Sequence, residues 1–420
     1  MNARELRADI AVFLHGPGAG GAQRRTVTLV NGFVERGYEV DLIVVDPRGP
    51  LAASIDPRVR VVALTRVEDW SAFRRLPRRV QLFLAVPLLA RRLRRHPASV
   101  LMSAASHVHL PLLLARRLSG SDVPVVLRLS NHFTRRRRDG SGASRRPVAT
   151  FLARRLFPDA AAAIAVSGGV AEDIAAATGL EASRIVTIPN PIPAAELRRR
   201  ATEPLAHAWM QPGEPPVVLG VGRVVRQKDF PTLVRAFAKV RARRPARLLV
   251  LGRADGGAVQ KQLEGLVGEL GLSRDVALAG YVDNPAAFMA RAAVVALSSA
   301  WEGLPGVLIE AMACGCPVVS TDCPSGPSEI LAGGRYGALV PVGDHEALAA
   351  AIERALDEPV DRAALVARAD EYDVDRAVDA YLAVLLSKRR RIVVADPQGA
   401  NGPSANPQAL PALPAGRTRG

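Results

Sequence analysis

Glu302 and Glu310 have seven residues between them in the stretch SSAWEGLPGVLIEAMACGCPVVSTDCPSGPSE, residues 298–329. A carboxylate can accept two hydroxyl hydrogen bonds at once, which suits a ribose diol or the vicinal hydroxyls of a sugar. The Gly303-Leu304-Pro305 turn follows the first glutamate, and an apolar helix over about 307–314 carries the second, with Gly315 and Pro317 to stop it. Exposed N–H groups at a helix start favour an anion such as a diphosphate. Upstream, Arg223 and Lys228 flank the turn after an apolar run, VVLGV. Two fixed cations there can stabilise a departing diphosphate without a metal. Together these groups suit a nucleotide-sugar.

The elements that must position them alternate strand and helix. Apolar runs at 10–15, 40–45, 59–64, 99–103, 125–129, 160–166 and 185–188 read as buried parallel strands, and so do 217–221, 247–252, 276–280, 294–298, 318–321 and 338–340. Such an α/β sheet binds ligands outside the carboxyl ends of its strands. The first turn, GPGAGG at 16–21, opens a helix over about 22–36, with Asp46 after the next strand. Read cold, this is close to a dinucleotide fingerprint, so an NAD-linked oxidoreductase is the first rival reading; Pro17 and Gly20 break the spacing. Ser167 stands as the N-cap of a helix over about 170–177. Histidines at strand ends (His107, His109, His132) are candidates to face the cleft. Asp373-Val-Asp375 fits a metal pattern but stands at a helix start, where acids cap and complement the dipole.

A chain of 420 residues fits two domains, and 49% apolar residues allow sizeable cores. No secretory signal is read at the start, and the longest apolar run, 80–90, is too short to span a bilayer. Cys314, Cys316 and Cys323 are odd in number and read as small core residues in a reducing compartment. The net charge of +16 is carried by residues 1–200, where 32 arginines face 16 acids; the remainder holds 24 basic and 24 acidic residues. Such asymmetry points to an anionic partner on the first half. The segment 73–96, FRRLPRRVQLFLAVPLLARRLRRH, reads as one basic amphipathic stretch suited to a membrane interface. Arg135, Arg136, Arg137 and Arg138 open a Gly/Ser-centred loop that could meet lipid head groups or a diphosphate-linked acceptor. Nucleic acid would use the same charge, but no aromatic recognition motif accompanies it.

The 302–310 motif resembles the E-x7-E signature of the retaining, GT-B-fold glycosyltransferases of family 4. The wording CGCPVVSTDCPSGPSEIL is nearest to the branch that elongates lipid-linked or surface glycans, and the resemblance runs from about Ile10 to Leu386. GGAQR at 20–24 resembles the family's GGA-x-R loop, Arg223 and Lys228 its GR-x4-K diphosphate pair, and the SHVH stretch its NHAN-type histidine segment. The resemblance implies two Rossmann-like domains facing across a cleft, with boundaries at 1–195, a linker at 196–213, a donor domain at 214–372 and a crossover helix at 373–388; the Pro/Gly/Ala composition of 389–420 reads as a disordered tail. It implies transfer of a hexose-type sugar from a nucleotide diphosphate, UDP by family frequency, to a glycan or lipid-linked hydroxyl, with no cofactor and no metal. Glu310 would hold the ribose. Glu302, with the turn Gly303, Leu304 and Pro305, would hold the sugar. Gly20 and Gly21 would approach the phosphates, His107 the sugar, and Tyr281 and Val282 the base. The expected location is cytoplasmic, with peripheral contact on the inner face of the membrane. A GT-B-fold epimerase and a non-catalytic basic membrane-binding protein stand as further alternatives.

Overall fold

The computed structural model describes residues 8–18, 20–65, 73, 75–134, 146–253 and 256–389. Arg135–Arg138 and the expected tail beyond Arg389 lie outside the described residues.

Thirteen strands form two parallel sheets among the described residues. The first holds β1 (Ile10–Leu14), β2 (Val40–Val44), β3 (Arg60–Ala63), β4 (Val100–Ser103), β5 (Val125–Leu129), β6 (Ala162–Ala165) and β7 (Ile185–Thr187), in the order β3-β2-β1-β4-β5-β6-β7. The second holds β8 (Val217–Val221), β9 (Arg247–Leu251), β10 (Val276–Gly280), β11 (Val294–Leu297), β12 (Val318–Thr321) and β13 (Ala338–Val340), in the order β10-β9-β8-β11-β12-β13. Central strands such as β1, IAVFL, are buried along their whole length, as a sheet covered on both faces requires. The order reverses between β1 and β4 in one sheet and between β8 and β11 in the other. Connections there leave in opposite directions, which opens a crevice at the carboxyl ends.

Helices α1 (Gly21–Glu35), α2 (Arg78–Leu84), α3 (Val86–Arg95), α4 (His109–Ser119) and α5 (Gly168–Thr178) belong to the first sheet. Helices α6 (Phe230–Arg243) and α7 (Gly306–Ala313) belong to the second. The stretch expected as one amphipathic segment is two helices, α2 and α3, that meet at Ala85. Pro87 has no N–H to offer the carbonyl one turn back, so the hydrogen-bond ladder breaks there. Leu82, Val86, Leu89 and Leu93 face the core, while Val80, Phe83 and Leu84 stay exposed.

The last helix, α8 (Val374–Ser387), follows the second sheet in the chain but packs on α1. Gly32 of α1 makes this possible, because a Cβ there would sit 2.5 Å from Val378 Cγ2. Arg36 holds Asp375 at 3.0 Å and also Asp379. Just before α8, the outgoing and returning chains lie side by side, with Ile192 N donating to Tyr372 O at 2.9 Å. Asp373 caps α8 by accepting from Asp375 N at 2.7 Å, as the sequence suggested. Tyr381 then reaches into the first sheet. Its hydroxyl accepts from Arg128 Nε at 3.1 Å, while the fully buried guanidinium also reaches Asn190 Oδ1 at 2.6 Å and Ala104 O at 3.2 Å.

Candidate active site where the two sheets meet

Some of the residues singled out from the sequence follow the strands at which the order reverses. In the second sheet, Arg223 and Lys228 follow β8, and Glu302 follows β11. Glu302 is 7% exposed and its carboxylate accepts three hydrogen bonds: Oε1 accepts from Lys228 Nζ at 2.6 Å and Ser299 Oγ at 2.7 Å, and Oε2 from Gln227 Nε2 at 3.2 Å. Arg223 is exposed. The sequence placed Lys228 and Glu302 at one site; the structure pairs them with each other. Tyr281, after β10, is half exposed, and the Arg253 guanidinium lies 5.1 Å from its ring centroid. Val282 beside it is half-buried.

Gly303, Leu304 and Pro305 are buried beneath the first sheet's loops. A Cβ on Gly303 would collide with Ser130 O, so only glycine permits this approach. Ser167 donates its hydroxyl to Gly303 O at 2.7 Å. It stands at the N-cap position of α5 as expected, but makes no side-chain cap bond, because that hydroxyl is committed across the two sheets.

More contacts join the same edges. Arg25 Nη2 of α1 meets Glu310 Oε1 of α7 at 2.6 Å. Glu329 Oε2 accepts from Gly168 N at 3.1 Å. His132 Nε2 donates to Pro324 O at 3.1 Å and reaches Ser325 Oγ at 2.7 Å, and that hydroxyl donates to Glu302 O at 3.1 Å. Behind His132, Asp173 accepts from Phe133 N at 2.5 Å and from Thr134 N at 3.2 Å. Burial acts to raise the Asp173 pKa, but the bonds from His132, Thr134 and Phe133 outweigh it and hold the carboxyl at about 2. Arg25, Asp173 and Ser325 carried no sequence signal, and Ser167 signalled only a helix cap, because their partners lie far along the chain.

In the first sheet, Gly20 and Gly21 form the start of α1, exposed, with open space at the Gly21 Cβ position. His107 follows β4 and is half-buried, its ring centroid 6.5 Å from that of His15 at the end of β1. His109 is different: it is 3% exposed, bonded through Nδ1 to Ser103 Oγ at 2.7 Å and packed edge-on against Phe157. It is a core residue. The cysteines lie under the second sheet's site, and burial pushes their thiols up, Cys314 to about 11 and Cys316 and Cys323 to about 12. They are poor nucleophiles at neutral pH.

Comparison with known proteins falls on the same two halves. Residues 19–196 match the family described as Glycosyltransferase Family 4, and residues 204–372 match Glycosyl transferases group 1. The chain is 31% identical over 266 residues to the GDP-mannose-dependent alpha-(1-6)-phosphatidylinositol monomannoside mannosyltransferase of Mycolicibacterium smegmatis, covering 59% of this chain and 68% of that one. It is 26% identical over 362 residues to the N-acetylgalactosamine-N,N'-diacetylbacillosaminyl-diphospho-undecaprenol 4-alpha-N-acetylgalactosaminyltransferase of Campylobacter jejuni, covering 83% and 90%. The structure of Anabaena Alr3699/HepE in complex with UDP and glucose superposes with a TM-score of 0.71 at 21% identity, over 91% of this chain and all of that one.

Proposed function

The chain belongs to the glycosyltransferases of family 4 and has the GT-B fold, and from that premise we propose a retaining transfer of a sugar from a nucleoside diphosphate donor to a hydroxyl of a lipid-linked or surface glycan. One observation carries the proposal: Lys228 and Glu302 pair just after β8 and β11, and Arg25 of the first sheet's α1 pairs with Glu310 of α7. Membership of this family sets aside the NAD-linked oxidoreductase.

Arg223 and Lys228 offset the diphosphate. Lys228 gives one of its three protons to Glu302 and keeps the others for phosphate oxygens. Glu310 takes the ribose hydroxyls through the oxygen that Arg25 leaves open. Glu302 and the Gly303-Leu304-Pro305 turn hold the sugar, His107 contacts it, and Gly20 and Gly21 approach the phosphates. Tyr281 and Val282, with Arg253 stacked on the tyrosine, meet the base. The bond from the anomeric carbon to phosphate breaks, the acceptor oxygen adds on the same face, and the leaving phosphate takes the acceptor's proton. No side chain need act as nucleophile, and fixed cations do the work that a metal does elsewhere. The donor is a UDP-sugar in this reading, and transfer persists in chelator.

The acceptor is lipid-borne in the same reading. Both relatives are named for lipid substrates, phosphatidylinositol in one and undecaprenol diphosphate in the other. On this chain, Leu76, Val80, Phe83 and Leu84 of the α2 region are exposed among Arg75, Arg78, Arg79 and Arg91. That mixture suits an anionic membrane surface. No helix among the described residues is long and apolar enough to cross a membrane.

The test is donor titration followed by product analysis. UDP should raise the melting temperature in chelator, and the product's anomeric proton should show the donor's configuration. Glu302→Ala with Glu310→Ala should abolish both donor binding and transfer. Transfer that survives the double change would refute the site.

A further inference from the structure

His15 closes β1, the strand at the first sheet's reversal point, and belongs to none of the roles above. Its chemistry is fixed by a neighbour. Gln81 of α2, 6% exposed, donates Nε2 to Leu76 O at 2.8 Å. A carbonyl only accepts, so the Gln81 amide cannot be turned the other way. Its Oε1 therefore faces His15 Nε2, 2.9 Å away. A carbonyl oxygen there requires a proton on Nε2. In the neutral ring, Nδ1 is then a bare lone pair.

That lone pair is available. Among the described residues Nδ1 has no hydrogen-bond partner, and it is not among the side-chain atoms sealed from solvent. Burial lowers the pKa of the ring, with Arg78 acting the same way; the Gln81 bond and Asp46 act against it. The ring of His107, on the neighbouring strand's loop, faces it at 6.5 Å. A neutral ring with its proton committed to Gln81 can only accept at Nδ1. It therefore favours a hydroxyl and repels the acceptor-only oxygens of phosphate.

We propose that His15 is an acceptor-binding residue, its Nδ1 taking a hydrogen bond from a hydroxyl of the sugar that receives the transferred group, with Gln81 as the positioning residue that fixes the tautomer. The inference rests on the transfer reading above. Most of the donor's groups, Arg223, Lys228, Glu302 and Glu310, belong to the other sheet, and the first sheet reaches the donor only through Gly20, Gly21 and His107; the hydroxyl on the far side of His107, next to His15, is therefore assigned to the acceptor.

The experiment uses the full chain, a UDP-sugar that it hydrolyses, and a panel of octyl glycosides as acceptors. The KM of each substrate is measured in the wild type, His15→Gln and His15→Asn. Glutamine keeps a donor near the Nε2 position and loses the acceptor atom at Nδ1; asparagine does the reverse. His15→Gln should raise the acceptor KM about tenfold with donor KM unmoved, and His15→Asn by no more than about threefold, as one hydrogen bond permits. Gln81→Leu, of similar volume, leaves the ring but frees its tautomer, and should raise the acceptor KM about threefold even if the His15 variants fold poorly. Equal losses in both His15 variants, or a change in donor KM instead, would overturn the assignment. So would donor hydrolysis that no glycoside diverts to transfer. A wild type that binds no nucleotide-sugar would instead refute the transfer reading itself.

Discussion

Arg25 Nη2 and Glu310 Oε1 lie 2.6 Å apart although 285 positions separate them in the chain. The arginine stands on the first helix of one sheet, and the glutamate on the helix whose acid is assigned to the ribose. Their side chains are 11% and 23% exposed, so the pair is shielded without being sealed. In the proposed reading, the contact between the two sheets and the ribose site meet at one carboxylate.

Severing that link should separate the two. Arg25→Met removes the cation and keeps much of the side chain's bulk. Transfer should fall about tenfold, equivalent to about 1.4 kcal/mol, while the Kd for UDP changes by less than about threefold. Kinetics alongside calorimetric titration would show this. An equal loss in both would place Arg25 in ribose binding rather than in closure.

Lys228 and Glu302 form the more buried pair. Lys228→Met strands a carboxylate that is 7% exposed, and should cost on the order of 3 kcal/mol of stability. Adding Glu302→Gln removes the stranded charge and should restore most of that loss. Urea unfolding of both variants checks it, and the double variant should stay inactive in transfer.

Asp173 predicts a response to acid. Its folded pKa, about 2, lies below the ordinary carboxylate value of 3.8. Its contribution is therefore fully present above about pH 4 and is lost as pH falls through the folded value. The wild type's advantage over Asp173→Asn should be level from pH 7 to 5 and shrink by about 2 kcal/mol towards pH 2. Denaturant curves at a series of pH values would show it; a constant difference would mean that the carboxyl is not held by His132, Thr134 and Phe133.

The exposed face of α2 and α3 should bind charged vesicles. Arg79 and Arg91 are exposed and have no ion-pair partner among the described residues. Arg79→Gln with Arg91→Gln should weaken binding to vesicles of half phosphatidylglycerol about 30-fold, at about 1 kcal/mol per charge near the surface. Phe83→Ser with Leu84→Ser should weaken it further, and neutral phosphatidylcholine vesicles should bind neither variant differently. Flotation assays would measure this.

The strands were legible because each is an apolar run of strand length between turn residues. All thirteen fall within two residues of the expected ends. The break between α2 and α3 was harder to see, because the apolar pattern continues through it and only Pro87 marks it. Part of the arrangement was legible as positions: Arg223 and Lys228 follow β8, Glu302 follows β11 and Glu310 stands within α7. Their partners were not. Arg25, Ser167 and Ser325 are ordinary surface-type residues, and nothing local says that each spends its polar group on the opposite sheet. His107, His109 and His132 all stand at strand ends, and only the family resemblance set His107 apart in the sequence. Packing separates them into a half-buried ring beside His15, a core ring and a bridge between sheets, which only the folded chain decides.

The placement of α8 also sets the order in which this protein can mature on the ribosome. Gly32, Arg36 and Arg128 belong to the first segment to emerge, yet each has its partner in Val378, Asp379 or Tyr381. While the second sheet is being synthesised, the flank of α1 stays bare and a buried guanidinium lacks its phenol. Domains that fold as they emerge usually finish in sequence. Here the first sheet waits for residue 381, so a stalled or shortened product leaves its apolar flank open to chaperones and proteases.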